Sequence, residues 1–300
     1  MNNTYLRWYL LPLYIISMVF YMGCNNPQPQ NSITTTIQDT TLRTVPESVT
    51  SDTLSHGDIS FGLFNATRDQ IIVIDDEEPP IEDYDKIKHT WINEQSYKLD
   101  FVKVQKESDD YNGRQTPDNF DNVPGAVFKL AAKAKPGDAY VLLCSDSFLK
   151  SRKALKIHNN VAYATKSSLV TELKKTYGRS VTNAKLIATT AQKDSIFLAQ
   201  LAPVGDSLTV VLVTKPLTGK NLLIQEFKAE YNEMSTWRVD DGGEFPMEDF
   251  TILNAFEHKG KIELVTSFPG AEGGDLTFLT PGKNNRYHIV KESYVYWSPL

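Results

Sequence analysis

Cysteine, histidine and local catalytic signatures are all scarce in this chain, and each scarcity removes a class of protein. Two cysteines in 300 residues, Cys24 and Cys144, cannot build the disulfide framework of a small secreted domain. The five histidines are His56, His89, His158, His258 and His288, no two closer than 30 residues. That spacing excludes a local two-histidine metal site and leaves only an assembly from distant segments, so no metal and no other cofactor is expected. Basic side chains number 31 against 37 acidic, a formal charge of -6 with no basic tract. The electrostatic footprint of a nucleic-acid binder is therefore missing, and no nucleic-acid partner is expected. There is no phosphate-binding Gly-x-x-x-x-Gly-Lys loop, no Gly-x-Gly-x-x-Gly, no His-Glu-x-x-His and no Gly-x-Ser-x-Gly, so catalysis has no local signature of the common kinds. What remains is an ordinary globular composition, 41% apolar and 23% charged, in a chain long enough for a sizeable core.

The amino terminus is informative. One basic residue, Arg7, precedes an uncharged and largely apolar stretch of sixteen residues from Trp8 to Gly23. A bilayer-spanning helix takes about 20 residues, so the run is short for a permanent span and suits the apolar region of a secretory leader. It closes on Tyr21-Met22-Gly23-Cys24, which resembles the lipobox of bacterial lipoprotein precursors. The resemblance implies a signal peptide over residues 1–23, a diacylglyceryl group on Cys24, cleavage after Gly23 and acylation of the new amino terminus. An ordinary cleaved signal peptide and an uncleaved anchor are the alternatives. Removal of residues 1–23 takes Arg7 and no acid, so -6 becomes -7. Two or more acyl chains, such as palmitate, hold a protein stably where one does not, making the membrane a partner through Cys24. By the same resemblance, Asn25 in place of an aspartate implies an outer-membrane lipoprotein facing the periplasm of the cell envelope.

Residues 24–55 read as a linker. Positions 25–55 hold eight threonines, four serines and three prolines with no aromatic residue, too little apolar surface to offset the entropy of ordering. Asp39-Thr40-Thr41 and Asp52-Thr53-Leu54 resemble a short O-glycosylation sequon of some Gram-negative envelope proteins, as do Asp194-Ser195-Ile196 and Asp206-Ser207-Leu208.

From residue 56 to 300 the pattern predicts one β-rich globular domain, with a subdomain boundary near 180 left open. Ile59–Phe64, Gln70–Ile74 and Ala139–Cys144 are short β-branched runs bounded by turn residues. Along Gln95–Lys106, Tyr97, Leu99 and Phe101 alternate with polar residues; the phase then slips to Val102 and Val104, predicting a bulge near Phe101. Leu169, Leu173 and Tyr177 at four-residue spacing before Gly178 predict one short helix over 168–177, capped by Ser167 or Ser168. Eight further strands are expected, at Lys185–Thr190, Ser195–Gln200, Leu208–Thr214, Leu222–Ala229, Phe250–Glu257, Ile262–Phe268, Leu276–Leu279 and Tyr287–Val290, with hairpin residues at His258–Lys261 and Pro281–Asn285. The fold class is mainly β, an antiparallel sandwich or barrel with one short helix. A β-propeller is the alternative, although no fixed repeat period supports it.

Three stretches carry the ingredients of chemistry. Ser147-Phe148-Leu149-Lys150 spells the Ser-x-x-Lys of serine β-lactamases but follows a strand, and no Lys-Thr-Gly accompanies it. Ser108–Asn119 opens like a calcium loop yet ends on an asparagine where a bidentate glutamate belongs. Trp237-Arg238-Val239-Asp240-Asp241-Gly242-Gly243-Glu244 sets an aromatic platform beside three carboxylates, Asp240, Asp241 and Glu244. A tryptophan face holds a sugar ring, and paired carboxylates do the acid and base work of glycoside hydrolysis. The same residues also make a plain turn beside a core tryptophan. Two functions follow: a non-catalytic envelope protein binding a glycan, peptide or protein, with Trp237 as a contact, or a lipid-anchored glycan hydrolase using those carboxylates.

Overall fold

The computed structural model describes residues 54–55, 57–74, 84–92, 94–162, 167–205, 207–218, 221–230, 245, 247–270 and 272–298. Sixteen strands and two α-helices make up most of them. The first six strands are β1 (Ile59–Phe64), β2 (Gln70–Ile74), β3 (Ile87–Ile92), β4 (Gln95–Gln105), β5 (Gly125–Leu130) and β6 (Tyr140–Ser145). They pair antiparallel in the order β1-β2-β5-β4-β3-β6, and β6 returns to β1 to close a barrel. The chain continues through α1 (Asp146–Ser151), β7 (Lys153–Leu155), β8 (Ile157–Ala162) and α2 (Ser167–Tyr177). It ends in β9 (Val181–Thr190), β10 (Ser195–Val204), β11 (Ser207–Lys215), β12 (Leu223–Glu230), β13 (Thr251–His258), β14 (Lys261–Pro269), β15 (Gly273–Pro281) and β16 (Tyr287–Tyr296). Two five-stranded antiparallel sheets result, β12-β11-β10-β9-β8 and β16-β15-β14-β13-β7.

The two-residue period of each strand explains how these sheets stack. In β1, Phe61 and Leu63 pack outward against the β13–β16 sheet, while Phe64 fills the barrel with Ile71, Leu99, Phe128 and Leu143. Gly62 belongs to the inward set, and a methyl group there would lie 2.4 Å from Ile71 Cγ2. The sheet next to the barrel is apolar on both faces. Phe256, Val265 and Phe278 meet the barrel, whereas Ala255, Leu264 and Leu279 meet the other sheet through Ile196, Leu198, Val210 and Leu212. On the far face of that other sheet, Phe197, Ala199, Val211 and Val213 are covered by Leu169 and Leu173 of α2. The order of layers is helix, sheet, sheet, barrel.

Sandwich and barrel are thus both present in one mainly β structure, as the alternation predicts. The propeller alternative gives way, because two sheets face each other and the third closes on itself. The bulge falls at Phe101–Lys103, where the sequence phase slips. Helix α2 occupies the predicted segment and ends at Gly178, whose N–H returns to the Lys174 carbonyl at 2.9 Å. A second α-helix corrects the expectation of one: α1 is capped by Ser145, whose hydroxyl accepts from the Phe148 N–H at 3.1 Å. The sequence pattern also overlooks β3, β5, β7 and β8. The last carries one His and two Asn among its six residues and is held in place by β9.

A buried ion pair ties the barrel side to the middle sheet. Arg152, just after α1, donates from Nε to Glu263 Oε2 at 2.6 Å and from Nη2 to Oε1 at 3.2 Å. The two side chains are only 5% and 4% exposed. The guanidinium also lies 4.4 Å from the centre of the Phe148 ring, in cation–π contact.

Candidate functional site

Cys24, Trp237, Asp240, Asp241 and Glu244 lie outside the described residues. The residues that follow that last stretch are described: Phe245, Met247 and Phe250 are buried in the sandwich core. Phe245 stacks on Phe268 at 4.5 Å between ring centres. The same turn borders a crevice of about 130 Å³ lined by Asn159, Lys185, Ile187, Met247, Glu248 and Thr251 among others. A charged contact there joins β9 to the turn before β13, far apart in the chain. Lys185 of β9 is buried and donates from Nζ to Glu248 Oε2 at 2.6 Å. That hydrogen bond holds the Glu248 carboxyl below its ordinary value. Burying an ammonium is tolerated because the carboxylate neutralises it.

A second crevice, about 30 Å³, lies where barrel meets sheet, between Arg68, Trp91, Asp138, Tyr140 and Asn254. Arg68 spends its Nε and Nη1 on the carbonyls of Lys135, Gly137 and Asp138, so it chiefly clamps a loop. Enclosing a small-molecule ligand takes about 300–1,000 Å³. Neither of these two crevices reaches that.

Nucleophile chemistry fares no better. Ser147 follows strand β6, as the sequence reading has it, and also lies in the first turn of α1, but its hydroxyl donates to Asp58 Oδ1 at 2.8 Å. Burial works against the Asp58 carboxylate, yet hydrogen bonds from Ser55, Ser145 and Ser147 outweigh it and hold the pKa at about 2. The result is a hydroxyl cluster that caps α1. One arrangement that sequence reasoning missed is Ser96–His89–Asp146. Ser96 Oγ is 3.3 Å from His89 Nδ1, and His89 Nε2 is 2.6 Å from Asp146 Oδ1. These are triad residue types, but the Asp146 side chain is 60% exposed and neither crevice adjoins Ser96. A triad also needs oxyanion donors around a bound carbonyl, so this chain of hydrogen bonds serves to join α1 to β3 and β4. In the calcium-like loop, Asn119 Nδ2 donates to Asn112 Oδ1 and to the Arg114 carbonyl, using internally the groups a cation would need. Among the described residues no three His, Cys, Asp or Glu side chains converge as a metal site. Cys144 is fully buried between barrel and sheet, and burial pushes its thiol pKa up, so it is a core residue and not a nucleophile. Asp194, in the turn between β9 and β10, is likewise buried, accepting from Thr190 Oγ1 and the Leu217 N–H, and Ser195 is the first residue of β10.

Comparison with protein-family models, curated proteins and solved structures returns no match. The functional reading rests on the chain's own residues.

Proposed function

We propose that this chain is a lipid-anchored cell-envelope protein whose β domain binds a glycan, peptide or protein ligand without transforming it. The observation that carries the anchor is the placement of Gly23-Cys24 where the sixteen-residue apolar run stops, with a Thr/Ser/Pro-rich linker after it. Non-catalytic binding is supported by two small crevices and by hydroxyl and imidazole groups committed to structural hydrogen bonds. Among the described residues no helix is long and apolar enough to cross a membrane. Cells fed an alkyne analogue of palmitate test the anchor directly. The full chain is expected to take up label and to partition with membranes, and Cys24→Ala to lose both. An unlabelled wild-type chain, or a labelled Cys24→Ala chain, overturns the reading.

A further inference from the structure

The barrel closes unevenly, and β4 shows where. Eleven residues long, it is paired by β3 only from Gln95 to Lys98 and by β5 only from Leu99 to Gln105. On the β3 side of Leu99–Gln105 no strand lies among the described residues. Along this edge, open among the described residues, Phe101, Val102 and Val104 are 44%, 48% and 59% exposed. Three large apolar side chains are exposed within four positions, a denser run than the single apolar residues scattered over an ordinary surface.

The edge is also rigid. Phe101 is gripped edge-on by the buried Phe128 ring at 5.7 Å and stacked with Tyr84 at 6.3 Å and 5°. The end of β4 is pinned where Gln105 Nε2 donates to the carbonyls of Phe120 and Val123 at 2.9 and 2.8 Å. Lys98 and Lys103 on the strand and Lys106 just past its end are exposed, and none has an ion-pair partner among the described residues. The strand's acidic residue, Asp100, stands opposite Lys129 of β5 in the register.

We propose that the Leu99–Gln105 edge of β4 accepts an extended acidic–apolar peptide segment of a partner protein as an added antiparallel or parallel strand. Main-chain hydrogen bonds supply the affinity in such strand addition and side-chain pockets supply the choice of partner. Phe101 and Val104 receive the partner's apolar side chains, and Lys103 and Lys106 receive its carboxylates. A second copy of this chain is a poorer occupant. Antiparallel self-pairing centred on Lys103 sets lysine against lysine, and like charges directly opposed are destabilising. Edge lysines are a known guard against self-association, which is compatible with a partner of opposite charge.

The inference rests on the binding reading above and deepens it. The test is hydrogen–deuterium exchange by mass spectrometry on the full chain in detergent, with the probe acetyl-Glu-Val-Asp-Val-Glu-Val-Asp-amide. At about 1 mM probe, exchange over residues 99–105 is expected to slow about tenfold, the response of a site with a Kd near 0.1 mM. A probe with lysines in place of the acids, or with prolines in place of the valines, is expected to give no protection. Lys103→Glu/Lys106→Glu is expected to reverse the preference between acidic and basic probes. Absent protection at about 1 mM, protection elsewhere only, or equal protection in the double variant overturns the proposal. So does a Lys103→Val chain that dimerises while no acidic probe binds, since the lysines are then guards alone. Envelope pull-downs with the wild type and the double variant separate the two levels. If both capture the same ligand while the probe leaves β4 unprotected, the edge fails and the binding reading stands.

Discussion

Removing the Glu263 charge gives the sharpest test of how the barrel is fastened to the middle sheet. Arg152 and Glu263 are 5% and 4% exposed and share two hydrogen bonds. In Glu263→Gln the amide oxygen still accepts one bond, but its NH2 faces the other guanidinium N–H and the cation is left buried without a counter-charge. Breaking a buried pair from one side costs about 3–5 kcal/mol. For a unit of roughly 150–250 residues each kcal/mol moves Tm by about 2–4 °C, so a fall of about 6–20 °C is expected. Arg152→Met/Glu263→Leu removes both charges and is expected to recover most of the loss, because apolar replacement of a whole buried pair is often neutral or better. Urea titration of wild type, both single variants and the double variant gives the coupling energy directly. A loss below about 1 kcal/mol in Glu263→Gln, the range of solvent-exposed pairs, refutes the reasoning.

Glu226 supplies a pH test. Burial pushes its pKa up, but hydrogen bonds from Arg286, Lys228 and Tyr177 prevail and hold it at about 2 against an ordinary 4.5. Its contribution is therefore full above the ordinary value and is lost as pH falls through the folded value. Wild type is expected to lose about 1–3 kcal/mol more than Glu226→Gln between neutral pH and pH ~2 in denaturation curves; parallel curves refute this. Gly62→Ala sets a methyl group against Ile71 and Leu143 inside the barrel, and a loss of about 1–3 kcal/mol is expected in the same assay. On polysaccharide substrates, release of reducing ends is expected from neither wild type nor Asp241→Asn or Glu244→Gln. Turnover in wild type that both variants lose would replace the binding reading with the hydrolase.

Strands marked by their own apolar runs or alternation were legible in the sequence. Ile59–Phe64 and Gln70–Ile74 are found at the predicted bounds, and the slip from Phe101 to Val102 marks a real bulge. Where neighbours impose the structure, the local pattern is silent. Ile87–Ile92 slips register between Ile87 and His89 and buries a polar residue, Thr90, whose hydroxyl donates to the Leu142 carbonyl at 2.8 Å. Lys153–Leu155 is a strand only because β13 pairs with it. Barrel closure by β1 and β6 joins residues some 80 apart, a pairing for which one sequence offers no signal. Lys185 opens a predicted strand, and nothing local marks its pairing with Glu248, 63 positions away. The free edge of β4 was half visible: the apolar residues past the bulge were plain, but not that β3 stops short of them.

The pairing of Leu155 with Ala255, 100 residues apart, sets a schedule for a chain that emerges from its amino end. All six barrel strands arrive within residues 59–145, yet the barrel's outer Phe61, Leu63 and Leu142 wait for Phe256, Val265 and Phe278 before they are covered. Until β13 to β16 have followed, the new barrel carries a bare greasy flank and β7 has no strand beside it. The last fifty residues act as a keystone, and a premature stop before β13 would deliver a sticky fragment to the quality-control machinery instead of a smaller working protein.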